Sequence, residues 1–140
     1  MIATRPDIAF VVGVVSRYMS NPGRKHWDVV KGVMRYLHGS KDMCICFGGK
    51  DESVVGYTDS DYVGDLNNRR STLGYVFTFT GGAVSWRSRL QDSVVLSTTE
   101  VEYVAAIEAC KEAIWLTRLV GDLGISIEMP VLQCDSQSAI

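Results

Sequence analysis

The sequence of 140 residues lacks a hydrophobic run long enough to cross a membrane. Its longest apolar stretch, residues 8–15, is interrupted by Gly13 and is about half the length that a bilayer span requires. A charged and proline-containing segment, Arg5-Pro6-Asp7, precedes this stretch, and no small-residue cleavage site follows it, unlike a secretory signal. We therefore predict a protein without membrane partners.

The sequence also lacks a strong excess of charge of either sign. Its formal net charge is −2, from 14 lysines and arginines against 16 aspartates and glutamates. This balance provides no broad basic surface, which argues against a nucleic-acid partner. The balance does not exclude a nucleic-acid partner, because the charges of an acidic catalytic cluster and of a basic rim around it would also sum to nearly zero.

The cysteines show neither a disulfide framework nor a zinc-binding pattern. They form no Cys-x-x-Cys pair, and the histidines His26 and His38 do not lie at zinc-ligand spacing from them. We predict reduced thiols, packed as small apolar residues in a cytoplasmic or nuclear protein. The four residues concerned are Cys44, Cys46, Cys110 and Cys134.

What the sequence does contain is an ordinary globular composition, with 46% hydrophobic and 21% charged residues. The first 40 or so residues show helical periodicity in two stretches separated by Asn21-Pro22-Gly23, which predicts a helical hairpin. Later segments predict strands at 43–47, 54–58, 74–80, 83–86 and 131–134. They also predict a long helix at 98–123 and the first turn of a further helix at 135–138. The pattern indicates an α/β fold with a mixed sheet, and because the last helix is cut short, we expect a C-terminally truncated domain.

Three acidic residues lie at boundaries of the predicted elements. Asp59 ends a strand, Glu102 lies in the first turns of the long helix, and Asp135 directly follows the last strand. Strand ends and a helix N-terminus can converge on one rim of a sheet, where three carboxylates repel each other unless divalent cations neutralise them. Mg²⁺ prefers such oxygen ligands, and two ions about 4 Å apart can activate water and stabilise the leaving oxygen of a phosphodiester.

Simpler roles stay open for two of these acids. Asp59 is also suited to forming a turn beside Gly64, and Asp135 to capping a helix.

Glu102 differs from its neighbour Glu100. Residues 97–100 match a capping box, which gives Glu100 a local role, whereas Glu102 lies on a helix face rich in small residues and needs a charged partner there.

Several ordered segments resemble the ribonuclease H region of copia-type retrotransposon Pol polyproteins. The resemblance covers nearly the whole chain, and residues 1–45 are similar to the segment that joins the reverse transcriptase to that region. The segments are GYTDSDYVGD at 56–65, RRSTLGYVF at 69–77, LSTTEVEYVA at 96–105, KEAIWL at 111–116 and CDSQSA at 134–139.

The resemblance implies a ribonuclease H-like fold in residues 46–140 and a helical tail of the reverse transcriptase in residues 1–45. It implies hydrolysis of the RNA strand of an RNA:DNA hybrid with two Mg²⁺ ions, or Mn²⁺ in their place, at Asp59, Glu102 and Asp135. A fourth metal-site acid of the family lies on a downstream helix, which this sequence does not reach. The implied setting is a virus-like particle in the cytoplasm, or the nucleus, with an upstream reverse transcriptase as partner.

Further residues are candidates for contacting the hybrid. Arginines can bind phosphates as forked donors, although a solvated polar loop is the simpler explanation for them. A polar side chain must also sense the 2′-hydroxyl that distinguishes RNA from DNA. The phosphate candidates are Arg69, Arg70, Arg87 and Arg89, and the 2′-hydroxyl candidates are Ser60 and Gln137.

Two other functions stay open from the sequence alone. A catalytically inactive fragment could bind nucleic acid without cutting it, or the chain could be a structural relic with an uncovered apolar surface.

Overall fold

A computed structural model describes residues 2–49, 53–65, 69–92 and 94–135 of the chain. The chain divides into two compact units, Met1–Ile45 and Cys46–Ile140. Among the helices of the described residues, none combines the length and the apolar character that a bilayer crossing demands.

The first unit contains the two predicted helices. Short 3₁₀ turns at Ile2–Thr4 and Pro6–Ile8 lead into α1, Ala9–Ser16, and α2 follows at Arg24–Gly39. The break between the helices lies at the predicted Asn-Pro-Gly segment, where proline and glycine disfavour continued helix. The predicted helical hairpin is therefore present, with α1 shorter than the apolar periodicity suggests.

A polar network connects the start of this unit to the end of α2. Asp7 accepts hydrogen bonds from the Arg5 guanidinium, at 2.6 Å from Nη2, and from the Tyr36 hydroxyl at 2.7 Å. Arg5 also donates to the Ser40 hydroxyl at 2.7 Å. Arg5 first, and then Tyr36, hold the pKa of the Asp7 carboxyl well below its usual range.

The second unit is a four-stranded mixed sheet with one long helix. The strands are β1 Val54–Asp65, β2 Arg70–Phe79, β3 Gly82–Leu90 and β4 Val131–Cys134. Their order is β3-β2-β1-β4, with β1 antiparallel to β2, β2 antiparallel to β3, and β1 parallel to β4. The helix α3 spans Thr98–Asp122. The predicted α/β class and mixed sheet are confirmed.

The strand predicted at residues 43–47 is wrong, because the structure has no strand there. Alternating apolar residues form a strand only where a neighbouring strand can pair with them. Directly after this segment, the amides of Gly48 and Gly49 donate to the carbonyl of Thr80, next to the end of β2, at 3.3 and 2.9 Å.

The other strands exist, but β1, β2 and β3 are longer than the apolar pattern indicates. Their extensions carry polar residues that pair across strands, as Ser60 does with Leu73 and Gly74 with Ser88. Cross-strand hydrogen bonding sustains these segments, and local hydrophobicity does not reveal it.

The core lies between α3 and one face of the sheet. Phe77 of β2 and Ala109 of α3 are fully buried within one cluster, and Val101 is fully buried in a second cluster with Leu73. Small residues on α3 allow the helix to approach the strands closely. Gly56 in β1 leaves room for the Phe77 ring of β2, since a Cβ atom there would lie 2.5 Å from that ring.

Candidate metal site

At the candidate site β4 ends beside the middle of β1, which continues to Asp65, so the prediction that Asp59 ends a strand is wrong. In the parallel pairing of β1 with β4, Thr58 lies opposite Cys134. Asp59 and Asp135 directly follow these two paired residues, so their backbones lie close together. The end of a parallel strand, as at Cys134, is a common location for functional polar groups in α/β folds.

The N-terminal end of α3 is held by a cap that the sequence predicts. The Glu100 amide donates to the Ser97 hydroxyl at 3.2 Å, and the Glu100 carboxylate accepts from the Leu96 amide at 3.0 Å. The local role of Glu100 is thereby confirmed, with its carboxylate reaching one residue further back than in a standard capping box. Glu102 is left available for contacts with the sheet.

Glu102 is partly buried and contacts both strands. Its Oε1 accepts a hydrogen bond from the Ser60 hydroxyl at 2.7 Å, and its Oε2 lies 3.7 Å from Sγ of Cys134, whose thiol donates to it. Ligand atoms from Glu102, Cys134 and Asp135 all lie within 4.8 Å of one another. The structure therefore brings two of the three predicted acids together with a thiol.

Asp59 lies next to this group along the chain, but its carboxylate is not part of it. Along β1, Gly56 and Thr58 are buried, whereas Tyr57 and Asp59 are exposed on the alternate positions. The Asp59 Oδ1 accepts from the amide of the following residue, Ser60, at 2.8 Å.

The donor set fits a divalent cation. Two carboxylates held this close repel each other, and no lysine or arginine in the described part of the chain forms an ion pair with Glu102 or Asp135. Oxygen ligands on opposite sides of one Mg²⁺, Mn²⁺ or Ca²⁺ ion lie roughly 4–5 Å apart, which matches the observed grouping.

Cys134 is the site residue that sequence reasoning missed. It was predicted to be a small apolar thiol, yet it points to the carboxylate of Glu102. The available signal was its place directly before Asp135, at the end of a strand. The packing prediction was also wrong for Cys44, Cys46 and Cys110, which are exposed, and all four thiols are outside disulfides.

The predicted substrate contacts fall in different places. Arg70 pairs with Asp65 in the β1–β2 ladder, and along β2 it lies four residues from Gly74, the partner of Asp59, which corresponds to roughly 13 Å of strand. Arg69 precedes it and is exposed. Ser60 is at the site with its hydroxyl proton directed to Glu102, and Gln137 lies outside the described residues.

The other two predicted arginines, Arg87 and Arg89, lie on β3, which is separated from β1 by β2. Arg89 forms an ion pair with Asp92.

Comparison with known proteins identifies several relatives. The chain is 57% identical over all 140 residues to the retrovirus-related Pol polyprotein from transposon TNT 1-94 of Nicotiana tabacum. It is 38% identical over 138 residues to the retrovirus-related Pol polyprotein from transposon RE2 of Arabidopsis thaliana. In both cases it spans 10% of the relative's length.

A shorter relative is the secreted RxLR effector protein 161 of Plasmopara viticola, 48% identical over 118 residues. That match covers 84% of this chain and 83% of the effector. No family model matches the chain.

Proposed function

Because this chain belongs to the copia-type retrotransposon Pol polyproteins and spans about a tenth of their length, we propose that it carries their ribonuclease H function. The proposed reaction is metal-dependent hydrolysis of the RNA strand of an RNA:DNA hybrid, in a ribonuclease H-like domain formed by residues 46–140. Residues 1–45 would be the helical end of the reverse transcriptase segment.

The grouping of Glu102 and Asp135 at one edge of the mixed sheet carries this proposal. These carboxylates would hold the divalent ions, with the Cys134 thiol beside them. Once bound, such ions supply Lewis-acid stabilisation and an activated water for attack at phosphorus. The chain itself contributes orientation, since the Ser60 hydroxyl fixes one Glu102 oxygen and leaves the other to face Cys134.

Asp59 would be the third acidic ligand. The position of Asp59 supports this role, because Asp59 follows Thr58, the residue opposite Cys134. It also precedes Ser60, whose hydroxyl donates a hydrogen bond to Glu102. Within the described part of the chain, the hydrogen bond of the exposed carboxylate is local, from the Ser60 amide. Two negative groups already lie at the edge, so a cation is required before a third can join them at low energetic cost.

The hybrid would extend from the carboxylates along β1 toward Arg69 and Arg70. A span of roughly 13 Å corresponds to about four base pairs of duplex, so these arginines would contact phosphates a few base pairs from the cleaved bond. The Ser60 oxygen retains lone pairs that can accept from a ribose 2′-hydroxyl. Gln137 is the other proposed contact to that hydroxyl.

A cleavage assay with labelled RNA annealed to DNA tests this function. With Mg²⁺ or Mn²⁺ the wild-type chain should cut the RNA of the hybrid and leave the same RNA uncut when single-stranded. We expect Glu102→Gln and Asp135→Asn to lose about 100-fold or more of the rate, because each removes a ligand charge that stabilises the transition state.

The matched control is Glu100→Gln, which keeps an oxygen able to accept from the Leu96 amide and should cut normally. A wild-type chain that does not cut the hybrid, or a Glu102→Gln variant as active as wild type, contradicts the assignment.

One observation favours a second candidate, a module that binds the hybrid without cutting it. The Asp59 carboxylate lies outside the group formed by Glu102, Cys134 and Asp135. If that arrangement persists with metal and substrate bound, two carboxylates could hold an ion without completing a cleavage site. A mobility shift of the hybrid with intact RNA, in Mg²⁺ and in Mn²⁺, would support this candidate.

A further inference from the structure

The helix α3 has an apolar face that points away from the sheet. Its other face packs on the strands through small residues such as Ala105 and Ala109, which are buried. On the outward side, Tyr103, Ile107 and Ile114 are 51%, 54% and 44% exposed. Large apolar side chains grouped on one exposed face are typical of an interaction surface.

Six residues form a continuous stripe along this outward face, which we call the outer seam. They follow one another in steps of three or four, the spacing that places helical residues on one side. All six are exposed. The outer seam consists of Glu100, Tyr103, Ile107, Cys110, Ile114 and Arg118.

The two ends of the outer seam have opposite charges. Glu100 and Arg118 are separated by about five helical turns, or about 27 Å along the helix axis. The Glu100 carboxylate accepts from the Leu96 amide and is exposed, and in the described part of the chain Arg118 forms no ion pair. A complementary partner therefore has an apolar centre, with a positive group facing Glu100 and a negative group facing Arg118.

A second copy of α3 that runs in the opposite direction meets this requirement. When the second helix is turned end for end about a point close to Ala109, Tyr103 lies opposite Ile114 of the second copy. The same rotation places Ile107 opposite Cys110 of the second copy. Each contact then occurs twice, once on either side of a two-fold axis, as in closed symmetric dimers.

We propose that the outer seam forms an antiparallel dimer with the outer seam of a second copy of this chain. Glu100 of each copy pairs with Arg118 of the other. These surface ion pairs set the direction of the helices, and the apolar centre supplies most of the affinity. One pair of helices is a small interface, so the dimer is weak and reversible.

The dimer leaves the candidate metal site accessible. Glu102 contacts Ser60 and Cys134 of the sheet and is not part of the outer seam. The dimer and the proposed nuclease function can therefore fail separately.

Analytical ultracentrifugation of the full chain, under reducing conditions and over a wide range of concentrations, tests the proposal. Wild type should dimerise reversibly. Ile107→Glu places a carboxylate in the apolar centre and should raise the dissociation constant by about 100-fold or more. The matched control is Val94→Glu, which introduces glutamate at a loop residue with the same exposed fraction, 54%, and should dimerise as wild type.

Three outcomes of this experiment overturn the proposal. The first is a wild type that stays monomeric, as expected if a different protein covers the face. The second is an Ile107→Glu variant with the dissociation constant of wild type. The third is an equal loss of dimer in Ile107→Glu and Val94→Glu, as expected for unspecific apolar association.

The charged ends test the direction of the helices. Arg118→Glu brings two carboxylates together at each end and should raise the dissociation constant by about fivefold. Glu100→Lys brings two cations together and should have a similar effect, whereas the double variant restores opposite charges and should dimerise as wild type. A double variant no better than the single variants contradicts the antiparallel arrangement.

Discussion

The Ser60 hydroxyl lies 2.7 Å from Oε1 of Glu102 and donates a hydrogen bond to it, connecting β1 to the first turns of α3. This contact fixes the orientation of a carboxylate that would otherwise rotate freely beside Asp135. Hydrogen bonds of this kind orient metal ligands and are often as consequential as the ligands themselves.

Ser60→Ala should therefore lower hybrid cleavage by roughly 10- to 100-fold. Part of the loss should be recovered by raising the Mg²⁺ concentration, because a less ordered Glu102 binds the ion more weakly. The measurement is the cleavage rate across a Mg²⁺ titration. Ser60→Thr keeps the hydroxyl and should retain most of the cleavage rate, and an unchanged rate in Ser60→Ala would contradict the positioning role.

Cys134 should make the site responsive to thiophilic ions. Because its thiol lies 3.7 Å from Glu102, Cd²⁺ should bind with an ultraviolet thiolate charge-transfer band. The experiment uses a chain with Cys44→Ser and Cys46→Ser, so that these exposed thiols do not contribute. Adding Cys134→Ser should abolish the band, whereas adding Cys110→Ser should leave it. A band that survives Cys134→Ser would place the cadmium elsewhere.

Gly56 should be one of the least replaceable core positions of the sheet. A Cβ there would lie 2.5 Å from the Phe77 ring, so Gly56→Ala should cost about 1–3 kcal/mol of unfolding free energy. Gly121→Ala is the control in α3, where no atom lies within 4 Å of the added Cβ, and should gain about 0.5–1 kcal/mol. Urea denaturation of the full-length variants measures both. Equal stability of the two variants would contradict the close packing described for β1.

Asp7 should stabilise the first unit in a pH-dependent way. Its pKa is lowered in the folded chain, first by Arg5 and then by Tyr36, so the stabilisation is present above the unfolded pKa of about 3.9 and is lost as the pH falls toward the folded value. Asp7→Asn should reduce hydrogen-exchange protection of the α2 amides by about fivefold at pH 7, since the pair is partly exposed. At pH 2 the protection of the α2 amides should differ less between the variant and the wild type. A difference that grows on acidification would contradict the assignment.

The sequence predicted those features that depend on local patterns. The α3 helix with its Ser97 cap, the β2–β3 hairpin at Gly81 and the short strand before Asp135 all follow from periodicity and turn residues. It overpredicted a strand at 43–47, because pairing depends on distant residues.

The candidate site was also predictable only where it depends on local patterns of the sequence. Spacing identified Glu102 and Asp135 as candidates that could meet, but the direction in which each side chain points depends on register and twist. The hydrogen bond from Ser60, the thiol of Cys134 and the exposed carboxylate of Asp59 all follow from how β1 lies between β2 and β4. No local pattern contains that information.

We propose that Asp59, Glu102 and Asp135 together hold divalent ions, and Mn²⁺ binding to the full chain, counted by electron paramagnetic resonance, tests this most directly. Wild type should bind Mn²⁺ saturably, and Asp59→Asn, Glu102→Gln and Asp135→Asn should each weaken binding by about tenfold or more. Wild-type affinity in Glu102→Gln or Asp135→Asn would contradict the site, and wild-type affinity in Asp59→Asn alone would contradict the inclusion of Asp59.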